Sequence, residues 1–202
     1  MRRAARGIAY DLLLGTLFSF GVIVGIIGLG LGPAAFGLTS EGILISAVLG
    51  VLAAIVSLFF DYFALGTKFL LRGEMLEALP RYEPAITLRR VFGALLLFPL
   101  TEELFYRGTI QAGSTAYLGG ASILVGGSLY LVHHYLNPVT RGHFVSLREN
   151  ISLWYKAFIT GIVLLVTNSL VGCVIAHAMM NLIYAWMQIK KTLFYNQKLE
   201  TP

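Results

Sequence analysis

The sequence predicts an all-α fold: a polytopic transmembrane helical bundle of about six spans with both termini in the cytoplasm. Three observations lead there. The chain of 202 residues is 57% hydrophobic and only 12% charged, where a soluble domain carries about 25% charged residues. Its apolar residues fall into runs close to the roughly 20 residues that one helical crossing needs. The loops between those runs alternate between basic and neutral, as the positive-inside rule requires of a membrane protein. At this length the spans fill the chain, so residues 1–202 read as a single integral membrane domain.

The first run, Gly7 to Leu31, follows Arg2, Arg3 and Arg6. A charged start before an apolar run is also how a signal peptide begins. This run exceeds the 7–15 residues of a signal core, so it reads as a retained helix. "GLGLGPAAFG" reads as a turn, and the second span covers roughly 42–65. Next comes a connection that includes "MLEALPRYEPAITLRR", where two prolines break helix and mixed charges suit a solvated or headgroup-level segment. The third span, roughly 91–113, contains "FPLTEELFYRGTIQ". The fourth covers roughly 119–137. Its glycines, in "LGGASILVGG", read as small residues that let helices approach closely. The fifth and sixth, roughly 153–168 and 170–189, are separated near "VTNSLVG".

Lysine and arginine set the expected topology. The amino end carries Arg2, Arg3 and Arg6. The second loop carries Lys68, Arg72, Arg81, Arg89 and Arg90, and the fourth carries Arg141 and Arg148, with Lys156 read together with it. The tail adds Lys190, Lys191 and Lys198, while the first, third and fifth loops have none. Strict alternation puts both termini on the cytoplasmic side. The formal net charge of +5 is thereby a topology signal, and nucleic acid is not expected as a partner. The expected partners are the lipid bilayer and a protein or peptide substrate. The single cysteine, Cys173, reads as a small buried hydrophobe. The sequence carries no signal for oligomeric state.

Ionisable residues inside spans cost at least about 2.5–3.5 kcal/mol each, so they tend to face a bundle interior and to have a task. The candidates are Asp11, Asp61, Glu102, Glu103, Arg107, His133, His134, His177 and Asn181. Glu103 and Arg107 are four apart and share a helix face, which suits an ion pair. Glu102 points about 100° away and is left available. A carboxylate in an apolar site can accept or deliver a proton near neutrality. A purely structural ion-pair cluster is the competing reading. His133 and His134 are adjacent and face different directions, and Tyr130 lies one turn before His134. His177 and Asn181 are four apart, and two neutral donors on one face suit a developing oxyanion. They equally suit a polar helix–helix contact. Glu102 lies 12 residues from Arg90 and His177 13 from Lys190, roughly 18–20 Å deep at 1.5 Å per residue. His134 lies seven from Arg141, roughly 10 Å deep, so the fourth helix must tilt or continue past "LNP" for the three to meet.

Taken together, EExxxR, an aromatic-xxx-H and HxxxN on successive spans resemble the CPBP (CAAX protease and bacteriocin-processing) family, also called Abi or Rce1-like intramembrane endopeptidases. The resemblance rests on "FPLTEELFYRG", on Tyr130 with His134, and on "LLVTNSLVGCVIAHAMMN", and it covers roughly 92–185. It implies a catalytic set of Glu102 as general base, His134 holding the water, and His177 with Asn181 as oxyanion hole. Glu103 and Arg107 become the supporting ion pair. No cofactor and no metal ligand is implied. Tyr130 stands where the family often has Phe, and His133 rivals His134. The short chain looks most like prokaryotic members, which implies a plasma (inner) membrane location.

Other functions remain open on the sequence. A zinc-dependent intramembrane metalloprotease would use Glu and His as ligands, although no H-E-x-x-H and no cysteine cluster is present. A non-catalytic membrane binding or bacteriocin-immunity protein would keep the same residues as a polar core. A transporter would use them to relay protons, but no repeated halves appear. The substrate, and whether it is prenylated, is not legible, and Asp11 and Asp61 have no assigned role.

Overall fold

The computed structural model describes the backbone of residues 2–28, 42–71, 84–136 and 147–200, with positions 30, 32, 34, 37 and 40 in the first connection. Side chains are described within the helices for 15–28, 42–62, 87–136 and 150–193, apart from Tyr184. The Asp11 side chain, and Asn137 and Pro138 of the LNP segment, lie outside those described. Among the described residues every regular element is helical. Helices α1 (Arg2–Gly28) and α2 (Ile43–Leu71) come first. A continuous helical rod follows: α3 (Pro84–Phe92), a π-helical stretch (Gly93–Leu97), α4 (Phe98–Glu103), a second π-helical stretch (Leu104–Gln111) and α5 (Ala112–Leu118). A 3-10 turn (Gly119–Ala121) then leads into α6 (Ser122–Leu136). Helices α7 (Leu147–Thr167), α8 (Leu170–Met180) and α9 (Leu182–Glu200) complete the described chain.

Among the described residues four segments are long and apolar enough to cross a membrane: Ile43–Tyr62, Thr87–Leu136, Asn150–Thr167 and Leu170–Leu193. The 50-residue segment is not one straight crossing. Gly119 adopts φ 53° and ψ −132°, a conformation that essentially only glycine tolerates. The chain doubles back there, so α6 lies against the second π stretch. Gly126 sits so close to it that an added Cβ would lie 3.0 Å from the Tyr106 carbonyl and 3.1 Å from Arg107.

The distribution of side chains is inverted relative to a water-soluble bundle. Phe20, Ile27, Leu44, Phe59 and Val166 point outward, while Ser46, Ser57, Glu103, Arg107, Gln111 and Thr160 are buried. Large exposed apolar area is unfavourable in water and natural against lipid tails. The chain is an integral membrane protein on this pattern and its apolar segments.

Two seams position the site. Asn168 (φ 49°) breaks the helix after Thr167, and Ser169 caps α8. Ser46 of α2 enters this break. Its hydroxyl donates to the Ser169 carbonyl (3.0 Å) and accepts from the Gly172 N–H (2.8 Å) and from Thr167 (3.1 Å). The helices approach so closely that a methyl group on Gly50 would overlap the Gly172 backbone and one on Gly172 would overlap Ser46. The start of α8 is thus tied to α2, and His177 follows two turns later. At the other end, Thr87 of α3 bonds Thr192 of α9 at 2.7 Å.

The structure revises several element boundaries. The third helix does not stop near 113: "QAGSTAY" is helical to Leu118, because the sharp turn falls at Gly119. Pro84 falls at the start of α3, a first-turn position where its missing N–H costs nothing. The sixth run is two helices, α8 and α9, meeting at Asn181. Lys156, expected just after the fourth loop, lies within the apolar segment Asn150–Thr167. There it pairs with Asp61 at 2.7 Å, and Ser152 donates to the other carboxylate oxygen. Asp61 therefore has a partner on α7, which explains how both tolerate the bilayer.

Candidate active site

Glu102 and Glu103 close α4, where the backbone passes into the second π stretch. π-type turns are uncommon and concentrate at functional sites. Here the wider turn carries Arg107 back beneath Glu103. The guanidinium Nε lies 3.3 Å from Glu103 Oε2 and donates to Thr160 Oγ1 at 2.9 Å, and a terminal nitrogen donates to the Ala157 carbonyl at 2.6 Å. Glu103 and Arg107 are essentially fully buried. A lone buried charge would cost several kcal/mol, so the pair and its hydrogen bonds to α7 are what permit it.

The other Glu103 oxygen, Oε1, accepts from His177 Nδ1 at 2.8 Å. This contact is absent from the sequence reading, which paired Glu103 with Arg107 alone. It fixes His177 as an Nδ1–H donor and turns Nε2 toward Glu102, 3.9 Å from its Oε2. One carboxylate is therefore held from two sides, and its neighbour faces the imidazole edge.

Asn181 makes a contact that its backbone neighbours explain. Its Nδ2 donates to the Ala94 carbonyl at 2.8 Å. In the first π stretch the Phe98 N–H bonds Gly93. The next donor in that register would come from Pro99, which has no N–H. Asn181 supplies the missing bond and keeps a second amide hydrogen.

His133 and His134 both come to Glu102: one ligand-type atom of each lies within 4.8 Å of the others. The depth misfit expected for His134 is resolved by the hairpin. Glu102 lies 17 positions before Gly119 and His134 15 after it, so antiparallel helices bring them level. His134 Nδ1 lies 3.1 Å from the Tyr130 carbonyl. Its ring packs on Tyr130 at 4.1 Å, and Tyr130 also lies 5.8 Å beneath the Arg107 guanidinium. His133 is enclosed by Phe18 of α1 and Tyr106, so the first helix shapes the site despite its lack of motif residues.

The structure thus gathers Glu102, Glu103, Arg107, His133, His134 and His177 around one interior point, with Asn181 one turn from His177. Thr160 and the Ala157 carbonyl were missed by sequence reasoning. Nothing local marks them, since their partner Arg107 lies about 50 residues away. Tyr130 was flagged for its spacing alone. An apolar groove of about 840 Å³ lies elsewhere, along α7 between Phe60, Tyr135 and Ile162.

Residues 84–183 match the family described as type II CAAX prenyl endopeptidase Rce1-like. That span holds every polar residue of the site. No curated protein and no solved structure matches the chain.

Proposed function

We propose, from the match of residues 84–183 to the Rce1-like family, that the chain is an intramembrane endopeptidase in which Glu102 activates water against a peptide carbonyl. One observation carries the reading: the two adjacent carboxylates have different surroundings. Glu103 is held between Arg107 and His177, whereas Glu102 faces His133, His134 and the Nε2 edge of His177.

Water sits between Glu102 and His134. Glu102 takes its proton as the oxygen attacks the carbonyl carbon. With Nδ1 donating to Glu103, Nε2 of His177 carries a hydrogen only as imidazolium. Two carboxylates and two cations, Arg107 and His177, then leave the cluster neutral. The oxyanion accepts from His177 Nε2–H and from the second amide hydrogen of Asn181. As the C–N bond breaks, Glu102 returns the proton to the leaving amine. No acyl-enzyme forms, and the step requires no cofactor.

The substrate class follows from the membrane setting and from the family description: a membrane-associated or lipidated protein, with a prenylated CAAX-type tail as first choice. We read the bundle as six crossings with both termini cytoplasmic, from the basic loops and from the reversal at Gly119.

The test uses purified protein and a prenylated CAAX peptide in H2¹⁸O. Cleavage should place ¹⁸O in the new carboxylate within one turnover, and Glu102→Gln should abolish it at an unchanged melting temperature. Undiminished cleavage by Glu102→Gln would overturn the assignment. Folded, inactive wild type against every peptide offered would favour a binding role.

A further inference from the structure

We propose that His133 is a further catalytic residue, a proton carrier through which the proton that Glu102 takes from water reaches the leaving amine. The inference rests on the proteolytic reading above.

The three histidines of the site differ in what holds their rings. His177 commits Nδ1 to Glu103 at 2.8 Å. His134 commits Nδ1 to the Tyr130 carbonyl at 3.1 Å. A bond at one nitrogen sets which nitrogen carries the proton. Both ring nitrogens of His133 are buried, and neither has a hydrogen-bond partner among the described residues. A polar group buried without a partner is costly, and one that persists in a native fold calls for a reason such as a catalytic role. The ring itself is well held, by Phe18 at 5.3 Å, Tyr106 at 6.0 Å and the His134 ring at 4.9 Å. These contacts orient it without bonding either nitrogen.

A ring nitrogen of His133 lies within 4.8 Å of a Glu102 carboxylate oxygen. One water, with hydrogen bonds of about 2.8 Å on either side, spans that gap, and catalytic contacts tighten once substrate fills a site. A neutral imidazole offers an N–H at one nitrogen and a lone pair at the other. After the water has attacked, protonated Glu102 gives its proton to the lone-pair nitrogen. The opposite nitrogen gives its hydrogen to the leaving nitrogen as the C–N bond breaks. One proton enters the ring and one leaves, so the ring stays neutral and Glu102 is a carboxylate again. The ring ends in its other tautomer, and proton exchange with water restores the first. His134 and His177 could do the same only by giving up the bonds that hold them.

His133→Phe keeps an aromatic ring beside Phe18 and Tyr106 and removes two unpartnered nitrogens, so it should melt no lower than the wild type. The full chain in detergent is assayed on two substrates that share one prenylated cysteine. The first is the CAAX peptide. The second is the nitrophenyl ester of that cysteine, whose leaving group departs as a stable anion and needs no proton. His133→Phe should slow peptide cleavage about 100-fold or more and the ester less than about tenfold, the contrast expected when a proton donor is lost. Equal slowing of both substrates, or slowing of neither, overturns the relay and leaves the peptidase reading standing. Wild type that hydrolyses neither substrate overturns the peptidase reading, and the relay with it. Should His133→Phe fail to fold, nitrogen NMR of the histidine-labelled protein decides, with His143, the fourth histidine of the chain, changed to Gln. Two fixed tautomers and one exchanging ring support the relay, and three fixed tautomers overturn it.

Discussion

Glu103 and His177, 74 residues apart in sequence, are joined by a 2.8 Å hydrogen bond between Oε1 and Nδ1. Because Arg107 holds the other oxygen, Glu103 cannot turn toward the reacting water without uncovering a buried guanidinium. On the proposed mechanism Glu103 is thus a positioning residue and Glu102 the proton acceptor. Glu103→Gln should therefore destabilise the fold by about 3–5 kcal/mol, the usual cost of leaving one partner of a buried pair. Glu102→Gln should leave the melting temperature almost unchanged. Thermal unfolding of the two variants in the same detergent checks the contrast.

Thr160 is the hydroxyl that fixes Arg107 Nε against α7. Thr160→Val keeps the shape and removes the acceptor. It should cost about 1.5–3 kcal/mol for a lost bond to a charged group, whose Nε keeps only its longer contact with Glu103, and Thr160→Ser should recover most of it. Unfolding midpoints of the three proteins provide the measurement.

Asn181 has two separable roles in this account. Its bond to the Ala94 carbonyl exists because Pro99 lacks an N–H. Asn181→Ala should cost about 1–3 kcal/mol and most of the activity. Adding Pro99→Ala supplies a backbone N–H for that carbonyl and should restore part of the stability but not the activity. Recovery of both would reduce Asn181 to a structural residue.

The Asp61–Lys156 pair ties α2 to α7 at 2.7 Å. Asp61→Leu alone should destabilise by about 3–5 kcal/mol, since Lys156 is left unpaired in an apolar setting. The double variant Asp61→Leu/Lys156→Met should return close to wild-type stability, because buried pairs are often replaceable by apolar residues. A double-mutant cycle on unfolding checks the coupling.

Much of the helical layout was legible because lipid imposes a simple rule: long apolar runs, few charges, breaks at glycine and polar clusters. The Glu103–Arg107 spacing was legible for the same local reason, as an i, i+4 pair. What escaped is non-local or depends on backbone irregularity. The His177 bond to Glu103 crosses 74 positions. The π stretches at Gly93–Leu97 and Leu104–Gln111 leave no hydropathy trace, yet they explain why Asn181 meets Ala94. The pairing of Lys156 with Asp61 escaped because the two lie 95 residues apart. His133 and His134 were expected to diverge, but both approach Glu102, because the hairpin at Gly119 lays α6 along the carboxylates.

The most direct measurement is a comparison of protein termini in source-cell membranes carrying the wild type or Glu102→Gln at matched abundance. The account predicts a set of new termini in the wild type that vanish in the variant while the variant stays folded. Identical termini in the two membranes, or termini that persist with Glu102→Gln, would contradict Glu102 as the base of an intramembrane protease.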